Sequence, residues 1–146
     1  EVMNHSSHHA HFNSLSTDAI IADLNEASDR IEAVTGLRPT LFRCPYGEYD
    51  DHVIAAVESI GVTAIQWDVD SLDWKDYDAK TIYARVTQRV QPGSIVLFHN
   101  AALHTPEALG DIIEYLIREG YTIVPVSQLL LPGSTTIDNA GRQHPA

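Results

Sequence analysis

Residues 50–69 read DDHVIAAVESIGVTAIQWDV, and this stretch decides the fold class. In residues 50–60 the apolar side chains recur at helical spacing, and Gly61 follows as a typical stop signal. The predicted inward face of this helix consists of Val53, Ile54, Val57 and Ile60. Residues 62–69 are rich in β-branched and aromatic side chains, which is typical of a strand. A helix followed directly by a strand indicates an α/β protein.

The same alternation extends to both sides of this stretch. Helices are predicted over residues 17–35, 78–90 and 106–119, and strands over residues 40–43, 95–98 and 121–126. The inward face of the first helix is predicted to consist of Ile20, Ile21, Leu24, Ala27, Ile31 and Val34. We expect a short closing turn over residues 127–131 and a polar tail from Pro132 onward.

Repeated alternation of helix and strand favours a parallel sheet covered by helices. A closed barrel of eight such units needs about 250 residues, so this chain of 146 residues corresponds to about half of one. An open doubly wound sheet is the alternative that this length could complete.

The composition restricts the class of protein. With 44% hydrophobic residues the chain can bury a core, which excludes a disordered segment. Its net charge of −11 and isoelectric point near 4.9 argue against partners such as nucleic acid or anionic membranes. Cys44 is the single cysteine, so no internal disulfide is possible. No apolar run approaches the roughly 20 residues of a transmembrane segment, and no signal peptide is visible.

The run HSSHH at residues 5–9 has the donor types of a metal site. His5 and His9 are four residues apart, so on a helical turn both imidazoles would lie on one face and could bind one divalent ion. His9 and His11 are a rival pair that suits a strand better, and His8 would point elsewhere on a helix. A histidine-rich terminus without a metal is the other interpretation.

A second candidate segment, RCPYG at residues 43–47, ends a predicted strand. In α/β proteins the carboxyl ends of parallel strands are where sites assemble. Pro45 and Gly47 form a tight turn that could aim a backbone N–H into a pocket. A surface turn with a solvated Arg43 is the alternative.

Two later segments also end predicted strands. The first, WDVDSLDW at residues 67–74, places three acids beside two tryptophans, whose faces stack well on sugar rings. An acidic loop with core tryptophans would look the same. The second, IVLFH at residues 95–99, ends in His99, which is either a structural histidine or, beside an aspartate, a general acid.

In this order the four segments resemble the motifs of the polysaccharide deacetylase family, also called the NodB-homology domain or carbohydrate esterase family 4. The family's second motif, His-(Ser/Thr)-x-x-His, matches residues 5–9, and its third, Arg-x-Pro-Tyr, matches residues 43–46. Its fourth, Asp-x-x-Asp-Trp, matches residues 70–74, and its fifth, Leu-x-His, matches residues 97–99. The resemblance predicts a deacetylase domain over residues 1–131 and a C-terminal tail over residues 132–146.

The resemblance implies a fold, an activity and a cellular location. The fold would be the C-terminal part of a distorted (β/α) barrel. The activity would be metal-dependent deacetylation of N-acetylated glycans, either chitin-like or peptidoglycan. An O-acetyl xylan esterase of the same family and a non-catalytic metal- or glycan-binding fragment are the alternatives. The family also implies a location in the cell envelope or outside the cell.

The resemblance further assigns a role to each motif residue. His5 and His9 would bind the metal, with zinc expected first and cobalt or manganese as alternatives. Arg43 would orient the catalytic base, and His99, paired with Asp73, would protonate the leaving amine. The backbone N–H of Tyr46 would hold the oxyanion, and Trp74 would form the wall of the pocket. The other residues expected at the substrate are Pro45 of the third motif and Leu97 of the fifth.

One family motif is not in this sequence. Thr-Phe-Asp-Asp, the first motif, supplies the catalytic base and the third metal ligand by resemblance. We therefore expect an N-terminal segment carrying Asp-Asp to complete the site, either on the same polypeptide or on a second chain. A natural split, a nicked protein and a fragment are all compatible with this expectation.

Overall fold

The computed structural model describes residues 1–138 and 140–146. These residues form two compact units, Glu1–Gln66 and Trp67–Ala146. No helix in the described part of the chain has both the length and the apolar character needed to cross a bilayer.

The first unit contains two helices and a pair of parallel strands. Its elements are α1 (Thr17–Thr35), β1 (Leu41–Arg43), α2 (Asp51–Ser59) and β2 (Thr63–Ile65), with short 3-10 turns at Phe12–Ser14 and Pro45–Gly47. Helix α1 begins after Ser16, whose hydroxyl accepts the backbone N–H of Ala19, and ends at Gly36 in the left-handed conformation (φ 75°). Strands β1 and β2 pair in parallel, and Asn4 forms a further parallel bridge with Phe42. The segment that leads into residues 5–9 therefore lies beside β1.

The core of the first unit is formed by buried side chains from α1, α2 and the strand region. It comprises Phe12, Ile20, Leu24, Phe42, Cys44, Val53, Ala56, Val57 and Val62. The predicted inward face of α1 is correct for Ile20, Leu24 and Ala27 but wrong for Val34, which is 88% exposed. Buried residues of α1 end at Ser28, so the last turns of this long helix lie outside the core.

The second unit also combines helices with parallel strands. Its elements are β3 (Val69–Asp70), a 3-10 turn (Asp73–Lys75), α3 (Ala79–Thr87), β4 (Val96–Leu97), α4 (Thr105–Arg118), α5 (Val126–Leu129), β5 (Thr135–Ile137) and β6 (Gln143–Pro145). Strands β3 and β4 are parallel, with Asp70 opposite Leu97. The core consists of Val69, Ile82, Val86, Ala108, Ile112 and Leu116. The predicted α/β class is confirmed, and within the described residues the parallel strands form two separate two-stranded sheets.

Four predicted segments differ from the structure. The strand predicted over residues 62–69 is interrupted, because β2 pairs with β1 and β3 pairs with β4, in two different sheets. Between them the carboxylate of Asp68 accepts the backbone N–H of Ile95 (2.8 Å). The strand predicted over residues 121–126 does not form. Residues 121–124 instead line an apolar cavity of about 330 Å³ with Val96 and Phe98, and α5 replaces the predicted closing turn. The predicted polar tail contains the antiparallel pair β5 and β6.

Candidate active-site residues

The HSSHH run at residues 5–9 forms an irregular loop, so the helical turn on which both imidazoles would share one face does not form. Ser6 (φ 72°) and His9 (φ 51°) both have the positive φ of the left-handed region, which a regular helix does not contain. The rings of His5 and His9 nevertheless meet, with centroids 5.0 Å apart and planes at 78°. The loop thus brings together the two predicted metal ligands by a route other than helical spacing.

The tautomer of His5 is set by β1. The Nδ1 atom of His5 lies 2.7 Å from the backbone carbonyl oxygen of Arg43. A carbonyl can only accept, so Nδ1 carries the proton and the lone pair of the neutral ring is on Nε2. Metal-binding histidines commonly donate their other ring N–H to a carbonyl in this way. The arrangement therefore suits His5 as a ligand through Nε2.

Two polar residues that the motifs did not indicate hold this loop. Asn4 is 1% exposed, and its side-chain amide donates to the carbonyl of Leu24 and the hydroxyl of Ser28, both at 2.9 Å. Asp23 is 7% exposed and accepts the backbone N–H groups of Ser7 (2.9 Å) and His8 (3.1 Å). A sequence signal for Asp23 did exist, since an acid three residues after the inward-facing Ile20 lies on the apolar face of a helix.

The charge state of Asp23 follows from its contacts. Burial by itself raises the pKa of this carboxyl, but hydrogen bonds from Ser6, Ser7 and His8 outweigh burial and hold the pKa below its ordinary value. The Nδ1 atom of His8 lies 2.9 Å from Asp23 Oδ2. The imidazole of His8 is therefore engaged by α1, in line with the expectation that His8 points away from the pair of His5 and His9.

The RCPYG turn lies against the same loop. Tyr46 is left-handed (φ 59°), and its ring contacts His9 edge to face, with centroids 4.6 Å apart. His11 of the rival pair stacks on Tyr46 (4.3 Å), and its Nδ1 lies 3.0 Å from the carboxylate of Glu48. The turn around the buried Pro45 thus places the ring of Tyr46 against that of His9, one of the predicted metal ligands.

The two residues before this turn are shielded from water to different degrees. Arg43 is half-buried, and burial lowers its pKa. Cys44 is 3% exposed, and burial raises the pKa of its thiol to about 11. Cys44 is therefore neutral near pH 7 and packs as an apolar side chain rather than acting as a nucleophile.

The donor set of this region suits a metal in part. His5 and His9 offer imidazole nitrogens, which zinc accepts readily, but a catalytic zinc usually has three protein ligands. No group of three or more His, Cys, Asp and Glu side chains within residues 1–138 and 140–146 is arranged to hold a metal ion. The binding of a metal by His5 and His9 stays a prediction.

In the second unit Asp73 and His99 form the predicted hydrogen bond. The Nδ1 atom of His99 lies 2.8 Å from Oδ1 of Asp73, and the backbone N–H of His99 donates to Oδ2 over 3.0 Å. Thr105, at the start of α4, donates its hydroxyl to the same Oδ2 over 2.6 Å. Thr105 was not indicated by any motif, because it lies 32 residues from Asp73 in the sequence.

The environment of Asp73 keeps it ionised. Its side chain is 0% exposed, and burial by itself raises the pKa. The hydrogen bonds from His99, Thr105 and Ser71 outweigh this effect and lower the pKa below its ordinary value. Because a carboxylate only accepts, Nδ1 of His99 is the donor, and Nε2 is the ring atom at which His99 can gain or lose a proton.

Trp74 and Leu97 have contrasting exposures. Trp74 is 55% exposed, and its ring lies edge to face with that of His99, with centroids 6.5 Å apart. This exposure contradicts the alternative in which Trp74 is a core tryptophan. Leu97 is 3% exposed, and its carbonyl accepts the backbone N–H of Ser71. Leu97 therefore holds the strand ends together, and its contact with a substrate stays a prediction.

Comparison with known proteins agrees with the motif pattern. Residues 1–65, which contain the HSSHH loop and the RCPYG turn, match the family model described as polysaccharide deacetylase. The chain is therefore similar to the polysaccharide deacetylase family, in its first 65 residues by the family model and over most of its length by its relatives. The chain is 38% identical over 129 residues to the peptidoglycan-N-acetylmuramic acid deacetylase PdaC of Bacillus subtilis, covering 88% of the chain and 27% of that protein.

Two further comparisons extend this result. The chain is 34% identical over 121 residues to a bifunctional xylanase/xylan deacetylase of Cellvibrio japonicus, covering 82% of the chain and 18% of that protein. A crystal structure of a carbohydrate esterase family 4 pseudoenzyme from Bacillus anthracis matches with a TM-score of 0.84 at 34% identity, covering 88% of the chain and 46% of that structure. The chain thus spans less than half the length of each of these proteins.

Proposed function

We propose that this chain serves the metal-dependent deacetylation of an N-acetylated glycan. The observation that carries the proposal is the buried Asp73 carboxylate with His99 Nδ1 at 2.8 Å, which gives the imidazole the orientation a general acid needs. The polysaccharide deacetylases among the relatives support the reaction type.

His5 and His9 are the proposed metal ligands in this chain. Zinc is the proposed ion, with cobalt or manganese as alternatives, and the third ligand would come from the carboxylates of an Asp-Asp segment outside these 146 residues. When bound, a divalent ion supplies Lewis acidity toward the acetyl carbonyl and favours ionisation of a water molecule. The carbonyl of Arg43 would keep His5 in the tautomer that binds through Nε2.

The residues of the RCPYG turn would act on the acyl group and the base. The backbone N–H of Tyr46 would donate to the oxygen that becomes negative when water adds to the acetyl carbon. The guanidinium of Arg43 would orient the carboxylate that removes a proton from this water.

His99 would complete the reaction at the nitrogen. Its Nδ1–H is donated to Asp73, so the proton would leave from Nε2 as the carbon–nitrogen bond breaks. The products are acetate and a free amine on the sugar. The exposed ring of Trp74 would offer an apolar face to the sugar beside His99.

The substrate class rests on the relatives and on charge. A net charge of −11 suits a neutral glycan or a cationic, deacetylated product better than an anionic polymer. A chitin-like glycan or peptidoglycan is the proposed substrate, in the cell envelope or outside the cell. The charge of the chain suits the neutral chitin-like glycan, whereas peptidoglycan, which carries carboxylates, is supported by the relatives alone. Acetylated xylan is the alternative, favoured by the similarity to the Cellvibrio japonicus enzyme.

A non-catalytic role is the second candidate function. The similarity to a pseudoenzyme of Bacillus anthracis favours it, and so does the pair of predicted ligands where a catalytic site usually has three. In that case the chain would bind metal or glycan without turnover.

Acetate release from N-acetylglucosamine oligomers and from acetylated xylan tests these candidates. The purified chain would be assayed with zinc, with and without a segment that carries the Asp-Asp motif. Deacetylation that is lost in His5→Ala and His99→Ala but retained in His52→Ala, a surface histidine of the first unit, would support the proposal. Zinc or glycan binding without acetate release under all these conditions would favour the non-catalytic role.

A further inference from the structure

The backbone of the HSSHH loop is held by side-chain oxygens. Four consecutive N–H groups donate to Asn4 Oδ1 (Ser6, 2.8 Å), Asp23 Oδ1 (Ser7, 2.9 Å), Asp23 Oδ2 (His8, 3.1 Å) and Ser6 Oγ (His9, 2.9 Å). The two central groups share one carboxylate. Asp23 therefore determines the direction of the loop backbone between His5 and His9.

The loop needs such an anchor because its conformation is unfavourable by itself. Ser6 and His9 are left-handed, a conformation that is strained for residues with a Cβ atom. Strained residues persist only where surrounding contacts over-determine them. The backbone N–H groups of Ser7 and His8 supply such contacts, because both donate to the carboxylate of Asp23, whose side chain is 7% exposed.

Asp23 is itself rigidly placed. It lies on α1 beside Leu24 and three residues after Ile20, both of which are 0% exposed in the core. Its Oδ2 atom also meets Nδ1 of His8, so that His8 is turned toward α1. With Asp23 fixed on α1 and His8 turned toward that helix, His5 and His9 are the two histidines of the loop that face each other.

We propose that Asp23 is a positioning residue that brings His5 and His9 together for metal binding. The inference rests on the proposed function, because it assumes that these two histidines are ligands. Asp23 acts through the loop backbone and is not offered as a ligand.

Zinc titration of the 146-residue chain by calorimetry tests this role. In Asp23→Asn one carboxylate oxygen becomes an NH₂ group that faces a backbone N–H, so the loop loses one acceptor. We expect zinc affinity to fall by about tenfold or more, the range for supporting residues of metal sites. The matched control is Asp29→Asn on the same helix, where the side chain is 69% exposed and pairs with Arg38. The control should bind zinc as the wild type does.

A second measurement separates positioning from loss of the fold. In the metal-free protein, nuclear Overhauser contacts should join the rings of His5 and His9 (5.0 Å) and those of Phe12 and Phe42 (5.1 Å). Asp23→Asn should lose the histidine contact and keep the phenylalanine contact. Asp23→Glu retains both carboxylate oxygens and should recover part of the lost affinity.

The outcomes distinguish this inference from the proposed function. Wild-type zinc affinity in Asp23→Asn, with a loss in His5→Ala, would overturn the role of Asp23 and leave the metal site intact. Unchanged affinity in both His5→Ala and His9→Ala would instead overturn the proposed function. If Asp23→Asn also loses the phenylalanine contact, Asp23→Glu decides. The inference would be overturned if Asp23→Glu lost the contact between His5 and His9 and lost zinc binding while it kept the contact between Phe12 and Phe42.

Discussion

Replacing Thr105 with valine removes one hydrogen bond from the buried carboxylate of Asp73 and conserves the shape of the side chain. Thr105 Oγ1 donates to Asp73 Oδ2 over 2.6 Å, and the Asp73 side chain is 0% exposed, so bulk water cannot replace the hydroxyl. A hydrogen bond to a charged group contributes about 1.5–3 kcal/mol. We expect Thr105→Val to lower the free energy of unfolding by about this amount at neutral pH.

The effect should depend on pH with a defined sign. The pKa of Asp73 is lowered in the folded protein, because its hydrogen bonds outweigh burial, which by itself raises it. A group of this kind contributes stability that is present above its ordinary pKa of 3.8 and is lost as the pH falls through the lower, folded value. Loss of the Thr105 hydroxyl raises the folded pKa toward that ordinary value. The deficit of Thr105→Val should therefore be constant above about pH 5 and shrink in stronger acid.

Urea unfolding followed by tryptophan fluorescence measures this deficit. Trp67 and Trp74, the two tryptophans of the chain, lie in the same unit as Thr105, so the signal reports on that unit. The control is Thr87→Val, whose hydroxyl donates to the neutral carbonyl of Tyr83 over 2.9 Å. It should cost about 1 kcal/mol without pH dependence in this range. The reasoning would be refuted if Thr105→Val and Thr87→Val lowered the free energy of unfolding by equal amounts and with equal pH dependence.

Three further predictions concern the metal ligands, the acid and the thiol. In calorimetric titrations zinc affinity should fall in His5→Ala and persist in His8→Ala, because His8 is engaged by α1 rather than by the pair; the reverse order would contradict the ligand assignment. In the complete domain, the proposed role of His99 as general acid predicts that His99→Ala lowers kcat on an N-acetyl substrate by about 10²–10⁴. The same change should affect an activated acetyl ester much less, because that leaving group needs no proton; equal losses on both substrates would exclude His99 as the acid. Cys44, with its pKa raised to about 11 and an exposure of 3%, should react with a thiol reagent only after unfolding. Fast labelling of the native protein would contradict its burial.

Helices α1, α2 and α4 could be predicted from the sequence, whereas α3 ends three residues before its predicted end and α5 lies where a turn is predicted. Helix α1 has the predicted bounds Thr17–Thr35, and α2 and α4 lie within one residue of prediction at each end. Helical hydrogen bonds join residues four apart, so apolar spacing, N-caps and a terminal glycine contain most of the information. The motif order also indicated the similarity to the polysaccharide deacetylase family, because side-chain chemistry at strand ends is a local feature of the sequence.

The strands could be predicted less well, because a strand forms only with a partner strand, and the local sequence pattern does not show where that partner is. The apolar run over residues 62–69 contributes to two different sheets, and residues 121–125 form no strand despite their β-branched side chains. A strand exists only where a ladder partner is available, and that partner is distant in the sequence.

At the candidate site the sequence determined which residue types are present, and the tertiary structure decided how they meet. His5 and His9 face each other because a strained loop is anchored on Asp23, not because of the helical spacing that suggested the pair. Thr105 reaches Asp73 across 32 residues of sequence. The physical reason is that a buried polar group must find a hydrogen-bond partner wherever the fold places one, so its partners follow from three-dimensional proximity and leave no periodic pattern in the chain.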